Sequence, residues 1–162
     1  MATPLETYLT DHLTGADAAL DLLAKLGRDH EGELGRFFSS LHGEIEGERQ
    51  QLESLMNRFG YGRSTIRSAG ARLAEKFSRV KLTGNDERGG ALHLLEALDM
   101  LQSAIQGKRG LWRALGAAAT IDPQLAVLDY GGLVELASDQ LNRLDAVRVQ
   151  TAPAALAAPG DA

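Results

Sequence analysis

The chain has 162 residues, 44% hydrophobic and 24% charged, which is typical of one globular domain with a substantial core. It contains no cysteine, which excludes disulfides and thiolate metal sites, and its formal net charge of −5 argues against nucleic acid as its main partner. No apolar run approaches the roughly 20 residues of a membrane-spanning helix, and no signal-peptide pattern opens the sequence, so we expect a cytoplasmic protein with no membrane partner.

The first predicted helix spans about residues 4–26. Thr3 is placed as its N-cap, Pro4 occupies the first helical position and Glu6 the third, which together form a capping box. Gly27 is a natural stop. Because the following turn is short, the first two helices should be antiparallel neighbours.

The second predicted helix spans residues 32–59 and carries an apolar stripe at alternating steps of four and three. The stripe consists of Leu34, Phe38, Leu41, Ile45, Leu52, Leu55 and Phe59. Its one polar member is Glu48. This spacing places all of them on one helical face, so the carboxylate of Glu48 needs a partner inside the bundle.

Residues 60–90 form a connection with seven basic and three acidic side chains, and its apolar spacing predicts a short amphipathic helix over 64–81. The basic residues of this helix and its start are Arg63, Arg67, Arg72, Lys76, Arg79 and Lys81. They could bind nucleic acid or anionic lipid. We favour a helix docked on the bundle with solvated charges, because no aromatic residues are interleaved with the basic ones.

The next predicted helix, residues 90–119, repeats the apolar stripe with Lys108 as its exception. Glu48 and Lys108 should therefore face each other near the middle of the bundle. We interpret them as a buried ion pair that fixes helix register. Ligand binding or catalysis, and exposure of either side chain to solvent, are the alternatives.

The orientation of helices 32–59 and 90–119 stays open at this stage. A connection of this length allows them to run parallel. At about 1.5 Å of rise per residue, a parallel arrangement separates Glu48 and Lys108 by about 4–5 Å along the axis and an antiparallel one by about 9 Å. A lysine side chain spans either distance, although the parallel arrangement fits better.

The last predicted helix spans residues 123–150, with Asp122 as N-cap and Pro123 in its first turn. Residues 151–162 are rich in alanine and proline and show no amphipathic face. We predict a disordered tail there. The fold class is therefore all-α, with four long helices and a short helix in the crossover.

The second helix resembles its counterpart in the ferritin-like, rubrerythrin-type bundles, in which Glu-x-x-His supplies two ligands to a di-iron centre. Glu48 falls at the glutamate position, but Gln51 stands where that motif has histidine. The chain contains no Glu-x-x-His, and Lys108 would repel a metal ion. The resemblance implies a ferritin-like four-helix bundle in which an ion pair replaces the metal site.

Small residues form a face on two of the helices and could allow a close approach. They are Gly43 and Gly47 on the second helix, and Ser103, Gly107 and Gly110 on the helix over 90–119. Tight internal packing and a homodimer contact both fit this pattern.

For function, we expect a non-catalytic protein that acts through self-association, as a homodimer, or through an unidentified protein partner, with no resident cofactor. One alternative is an iron or manganese oxidoreductase or storage protein with the reduced ligand set Glu44, Glu48 and His12. Another is a binder of a small apolar or anionic ligand in the bundle core, with Lys108 as counter-ion. No nucleophile–base or nucleotide-binding motif indicates a conventional enzyme.

Overall fold

The computed structural model describes residues 1–62 and 90–157 of the chain. This part consists of four long helices: α1 (Pro4–Asp29), α2 (Gly32–Arg58), α3 (Ala91–Ala118) and α4 (Tyr130–Leu156). The described residues include no strand, which confirms the prediction of an all-α, bundle-like fold. None of their helices is both long and apolar enough to cross a membrane. The helix predicted over 64–81 and its basic residues lie outside the described residues.

Helices α1 and α2 are joined by a tight turn. Thr3 caps α1 by accepting a hydrogen bond from the amide of Glu6 at 3.1 Å, as the capping-box pattern predicts. Gly35 in the first turn of α2 has no room for a side chain, because a Cβ there would lie 2.3 Å from the carbonyl oxygen of His30. This close approach lets the chain reverse within a few residues and makes α1 and α2 antiparallel.

The contacts of the two middle helices settle their relative direction. Leu41 of α2 and Leu101 of α3 belong to one apolar cluster, whereas Leu55 and Leu115 belong to a second. The earlier halves of both helices therefore meet at one end of the bundle and their later halves at the other. Helices α2 and α3 run parallel, the arrangement that the axial spacing of the polar residues favours.

Helices α1 and α4 run opposite to this pair. Leu23 of α1 lies in the first cluster and Leu9 in the second, so α1 runs antiparallel to α2. In α4, Leu144 lies in the first cluster and Leu133 in the second. The bundle is thus two antiparallel pairs, with an apolar cluster toward each end and a polar layer between them.

The start of α4 corrects the sequence prediction. The helix begins at Tyr130, not at Pro123, and its N-cap is Asp129, whose carboxylate accepts a hydrogen bond from the amide of Gly132 at 3.0 Å. Asp122 instead closes a local turn by accepting from the amide of Gln124 at 2.9 Å. The Asp-Pro pair is compatible with both structures, and the later aspartate makes the cap.

The end of α4 also differs from the prediction. The helix continues through Pro153 to Leu156, so the first residues of the predicted disordered tail are helical. Ala155 is 2% exposed and therefore packed. An alanine-rich segment has high helix propensity and needs only one packed residue per turn, so the lack of a wide apolar face did not exclude a helix. Residues 158–162 of the predicted tail lie outside the described residues.

Candidate functional site

The middle of the bundle holds four hydrogen-bonded side chains that we call the polar layer: Glu48, Lys108, Trp112 and Gln140. They come from three helices, α2, α3 and α4. Glu48 is 2% exposed, Gln140 is 0% exposed and the Lys108 side chain is 12% exposed. Each occupies a position whose neighbours along the helix belong to the apolar clusters. The helices therefore place polar groups where burial is expensive unless they are paired.

Glu48 is the acceptor at the centre of the polar layer. Its Oε1 accepts from Lys108 Nζ at 2.5 Å and from Gln140 Nε2 at 2.9 Å, and its Oε2 accepts from Trp112 Nε1 at 3.0 Å. These donors replace the water that the carboxylate loses on burial. The structure thus brings together the two residues that the sequence analysis paired, Glu48 and Lys108.

Lys108 bridges two helices besides its own. Its Nζ also donates to Gln140 Oε1 at 2.6 Å. Burial lowers the pKa of Lys108 below its usual 10.5, while the charge and hydrogen bond of Glu48 oppose that shift. An ammonium group has three N–H donors. Two are used here, so one has no partner among the described residues.

A second ion pair extends the polar layer toward the surface. Glu44 Oε2 accepts from Arg143 at 2.6 Å and from Gln140 Nε2 at 3.1 Å. Burial opposes ionisation of Glu44, but these hydrogen bonds outweigh it and lower the pKa of this carboxyl below its usual 4.5. Glu44, whose side chain is 26% exposed, is thus paired with Arg143, which also binds Asp139, while buried Glu48 is paired with Lys108.

Gln140 is the member of this layer that sequence reasoning missed. The apolar stripe of α4 runs through Leu133, Ala137 and Leu144, at the same alternating steps that place Glu48 and Lys108 on theirs. Gln140 is the polar exception in that stripe. The polar interruption of the apolar stripe in α4 is the sequence signal that identifies Gln140, whereas metal-ligand spacing does not identify it.

A cavity of about 800 Å³ lies between α1 and α3 and reaches the polar layer. Glu48, Lys108 and Trp112 line its inner end. The α1 side is lined largely by small residues, Gly15, Ala16 and Ala19. Because these side chains are short, α1 cannot fill the space opposite α3 at this level, and the cavity remains.

The remaining walls of the cavity are mainly apolar and come from α2 and α3. They include Ile45, Leu52, Met100, Ala104, Ile105 and Leu111. Most cores contain few voids larger than a water molecule. A cavity of this size with apolar walls and a polar end is the usual form of a small-molecule site.

Acidic side chains surround the mouth of the cavity. Asp11, Glu96 and Asp99 are exposed and line it, and Asp99 forms an ion pair with Arg148 at 2.6 Å. Arg49 also lines the cavity, but its guanidinium is bound by Asp17 at 2.5 Å and Glu53 at 3.1 Å. With Lys108 balanced by Glu48 and Asp99 by Arg148, the described residues around the opening keep a negative charge from Asp11 and Glu96.

His12, one of the predicted metal ligands, lines the same cavity and packs edge-on against Tyr8. Burial lowers the pKa of His12 below its usual 6.5, and nearby Asp11 opposes that shift only partly. The imidazole is therefore mainly neutral at pH 7. It can offer one donor and one acceptor to a molecule in the cavity.

The three predicted metal ligands do not form a common site. Glu44 is bound by Arg143 and Gln140, and both oxygens of Glu48 accept hydrogen bonds from Lys108, Gln140 or Trp112. Within residues 1–62 and 90–157, no group of three or more histidine, aspartate or glutamate side chains could hold a metal ion. The carboxylates are engaged by cations and amides instead.

The small-residue faces leave open space around them. A Cβ added at Gly43, Gly47, Gly107 or Gly110 would meet no other atom within 4 Å. Tight internal packing between described residues therefore does not explain these glycines. Gly107 lines the cavity, whereas the sequence pattern predicted close internal packing or a homodimer contact at this glycine.

Comparisons of the chain with protein-family models, with curated proteins and with solved structures found no match. The functional interpretation therefore rests on the cavity and the polar layer.

Proposed function

We propose that this protein is a non-catalytic helical bundle that binds a small, largely apolar molecule between α1 and α3. The observation that carries this proposal is the cavity of about 800 Å³ that ends at the polar layer. Binding sites for small molecules typically have volumes of about 300–1,000 Å³, apolar walls and a few polar groups that orient the ligand. This cavity has all three properties.

The distribution of side-chain size supports the same proposal. In its middle α1 presents Gly15, Ala16 and Ala19 to the cavity, whereas toward its ends it buries leucines such as Leu9 and Leu23. Ordinary core residues in the middle of α1 would fill the space and would stabilise the bundle. A ligand that occupies the gap would recover those contacts.

A fluorescent probe tests the proposal. N-Phenyl-1-naphthylamine, which is neutral and apolar, should bind the wild-type protein saturably at one site with enhanced emission. Ala104→Phe, which places a phenyl ring in the cavity, should weaken binding at least tenfold. Ala114→Phe, at an exposed position of the same helix that does not line the cavity, should leave binding unchanged.

The result that contradicts the proposal is equal affinity in all three proteins. Binding would then occur elsewhere on the surface, and the cavity would have no part in it. Far-ultraviolet circular dichroism of each variant establishes that the helices are intact.

For the fold, we propose a ferritin-like bundle without a di-iron site. The parallel direction of α2 and α3 and a polar layer at mid-bundle support this proposal.

An iron or manganese function with Glu44, Glu48 and His12 has less support, because hydrogen bonds from nitrogen donors occupy both glutamates. The homodimer and the cytoplasmic location stay predictions.

A further inference from the structure

We infer that the ligand of this cavity is a neutral amphipathic molecule, with an uncharged oxygen head group that accepts a hydrogen bond from Lys108 and an apolar body that fills the space between α1 and α3. The inference rests on the proposed function and names the class of ligand. It differs from the anionic ligand expected from the sequence, for which Lys108 would have been the counter-ion.

The head group is defined by the hydrogen bonds that Lys108 already makes. Its Nζ donates to Glu48 Oε1 at 2.5 Å and to Gln140 Oε1 at 2.6 Å, and Lys108 lines the cavity. The remaining N–H needs an acceptor, because an unpaired buried donor is unfavourable. A hydroxyl, carbonyl or amide oxygen supplies one.

An anionic head group is disfavoured by the charges already in place. Glu48 neutralises Lys108, so a second carboxylate would enter a buried site without a cation of its own. It would also pass Asp11 and Glu96 at the opening. A carboxylate therefore loses its hydration and gains no net Coulombic attraction in return.

A cationic head group is disfavoured at the inner end of the cavity. The acidic mouth attracts an ammonium ion, but Lys108 occupies the position where the head group must bind. Both oxygens of Glu48 already accept hydrogen bonds, Oε1 from Lys108 and Gln140 and Oε2 from Trp112. A cation would therefore be repelled by Lys108 at a carboxylate whose charge Lys108 already balances.

Three compounds with the same eight-carbon chain separate these cases: octan-1-ol, octanoate and octylamine, each in competition with N-phenyl-1-naphthylamine at pH 7.5. Octan-1-ol should bind at least tenfold more tightly than either ion. Trp112, the only tryptophan of the chain, lines the cavity and gives an independent signal through its intrinsic emission.

Two variants test the electrostatic reason. Glu48→Gln leaves Lys108 without its counter-ion, so octanoate should gain at least tenfold and should overtake octan-1-ol. Glu96→Gln, at an exposed position on the rim, is a milder change that should not affect folding and should improve octanoate binding severalfold.

The outcomes distinguish the two proposals. If octanoate or octylamine binds wild-type protein most tightly, or if Glu48→Gln leaves the order unchanged and Glu96→Gln leaves the affinity for octanoate unchanged, the inference about the head group is wrong while the cavity remains a ligand site. If neither the probe nor any of the three compounds binds, the proposed function itself is wrong.

Discussion

Lys108 enters the bundle from α3 and ends between acceptors on two other helices, Glu48 on α2 and Gln140 on α4. A single side chain thus fixes the relative position of three helices. Sliding any one of them by a turn would separate a buried polar side chain from its hydrogen-bond partners. The polar layer therefore selects one register among the several that apolar stripes alone would permit.

Removing the cation should destabilise the fold strongly. In Lys108→Met the carboxylate of Glu48 stays buried without a counter-charge, and the free energy of unfolding should fall by about 3–5 kcal/mol. Urea denaturation at pH 7 measures the change. The double variant Glu48→Gln/Lys108→Met should recover part of the loss, because it buries no charge.

The matched control is the exposed pair on α1. Lys25 and Asp29 form an ion pair whose side chains are 36% and 46% exposed. Lys25→Met should change the free energy of unfolding by about 0–1 kcal/mol. A loss of similar size in Lys108→Met and Lys25→Met would show that the polar layer contributes nothing beyond a surface pair.

The sequence predicted Glu48 and Lys108 as partners because each interrupts an otherwise apolar stripe. The same signal is present at Gln140, yet amides were not considered as partners for a buried pair. The cavity could not be predicted at all. The short side chains of Gly15, Ala16 and Ala19 are visible in the sequence, but they leave a space only because packing across the whole bundle places them opposite α3.

At the scale of helices, replacing two different glycines of α2 by alanine should have opposite effects on stability. Gly35→Ala should destabilise the protein by roughly 1–3 kcal/mol, because its Cβ would overlap the His30 carbonyl and open the turn between α1 and α2. Gly43→Ala, which meets no atom within 4 Å on an exposed face of α2, should stabilise it by about 0.5–1 kcal/mol.

Chemical denaturation of the two variants beside wild type checks this prediction. Stabilisation by both would mean that the turn after α1 is not as tight as the structure has it. Destabilisation by both would mean that Gly43 has a packing partner, such as a second copy of the chain.

Helix boundaries show where sequence patterns are ambiguous. Thr3, Pro4 and Glu6 gave the start of α1 correctly, since one cap candidate precedes the first apolar residues. Before α4 two aspartates compete, Asp122 and Asp129. The second became the cap because Tyr130 holds the intervening turn, with its hydroxyl donating to the Leu125 carbonyl at 2.6 Å. That contact spans only five residues, but it depends on the conformation of the turn and not on the capping pattern.

For the whole molecule, acidification should reduce the free energy of unfolding over the pH range in which His12 takes up a proton. Its folded-state pKa lies below 6.5, so the unfolded chain binds more protons there and unfolding becomes easier as the pH falls through about 6.5. The free energy of unfolding should therefore decrease between pH 7.5 and 5.5. The decrease should be smaller in His12→Gln, measured by urea titration at both pH values.

Equal decreases in wild type and His12→Gln would contradict this assignment.

A second loss of stability, at lower pH, belongs to Glu44, whose folded-state pKa is lowered below 4.5. Its contribution is complete above that pH and disappears as the pH falls through the folded value. Glu44→Gln should remove the second loss and leave the first.

Nuclear magnetic resonance of the protein with saturating N-phenyl-1-naphthylamine tests most directly whether a small molecule binds in the cavity. The largest chemical-shift changes should fall on the indole N–H of Trp112 and on the methyl groups of Ala16 and Ala104, which line the space between α1 and α3. Changes confined to exposed apolar residues such as Ile121 and Val149, or no changes at all, would contradict a ligand site in this bundle.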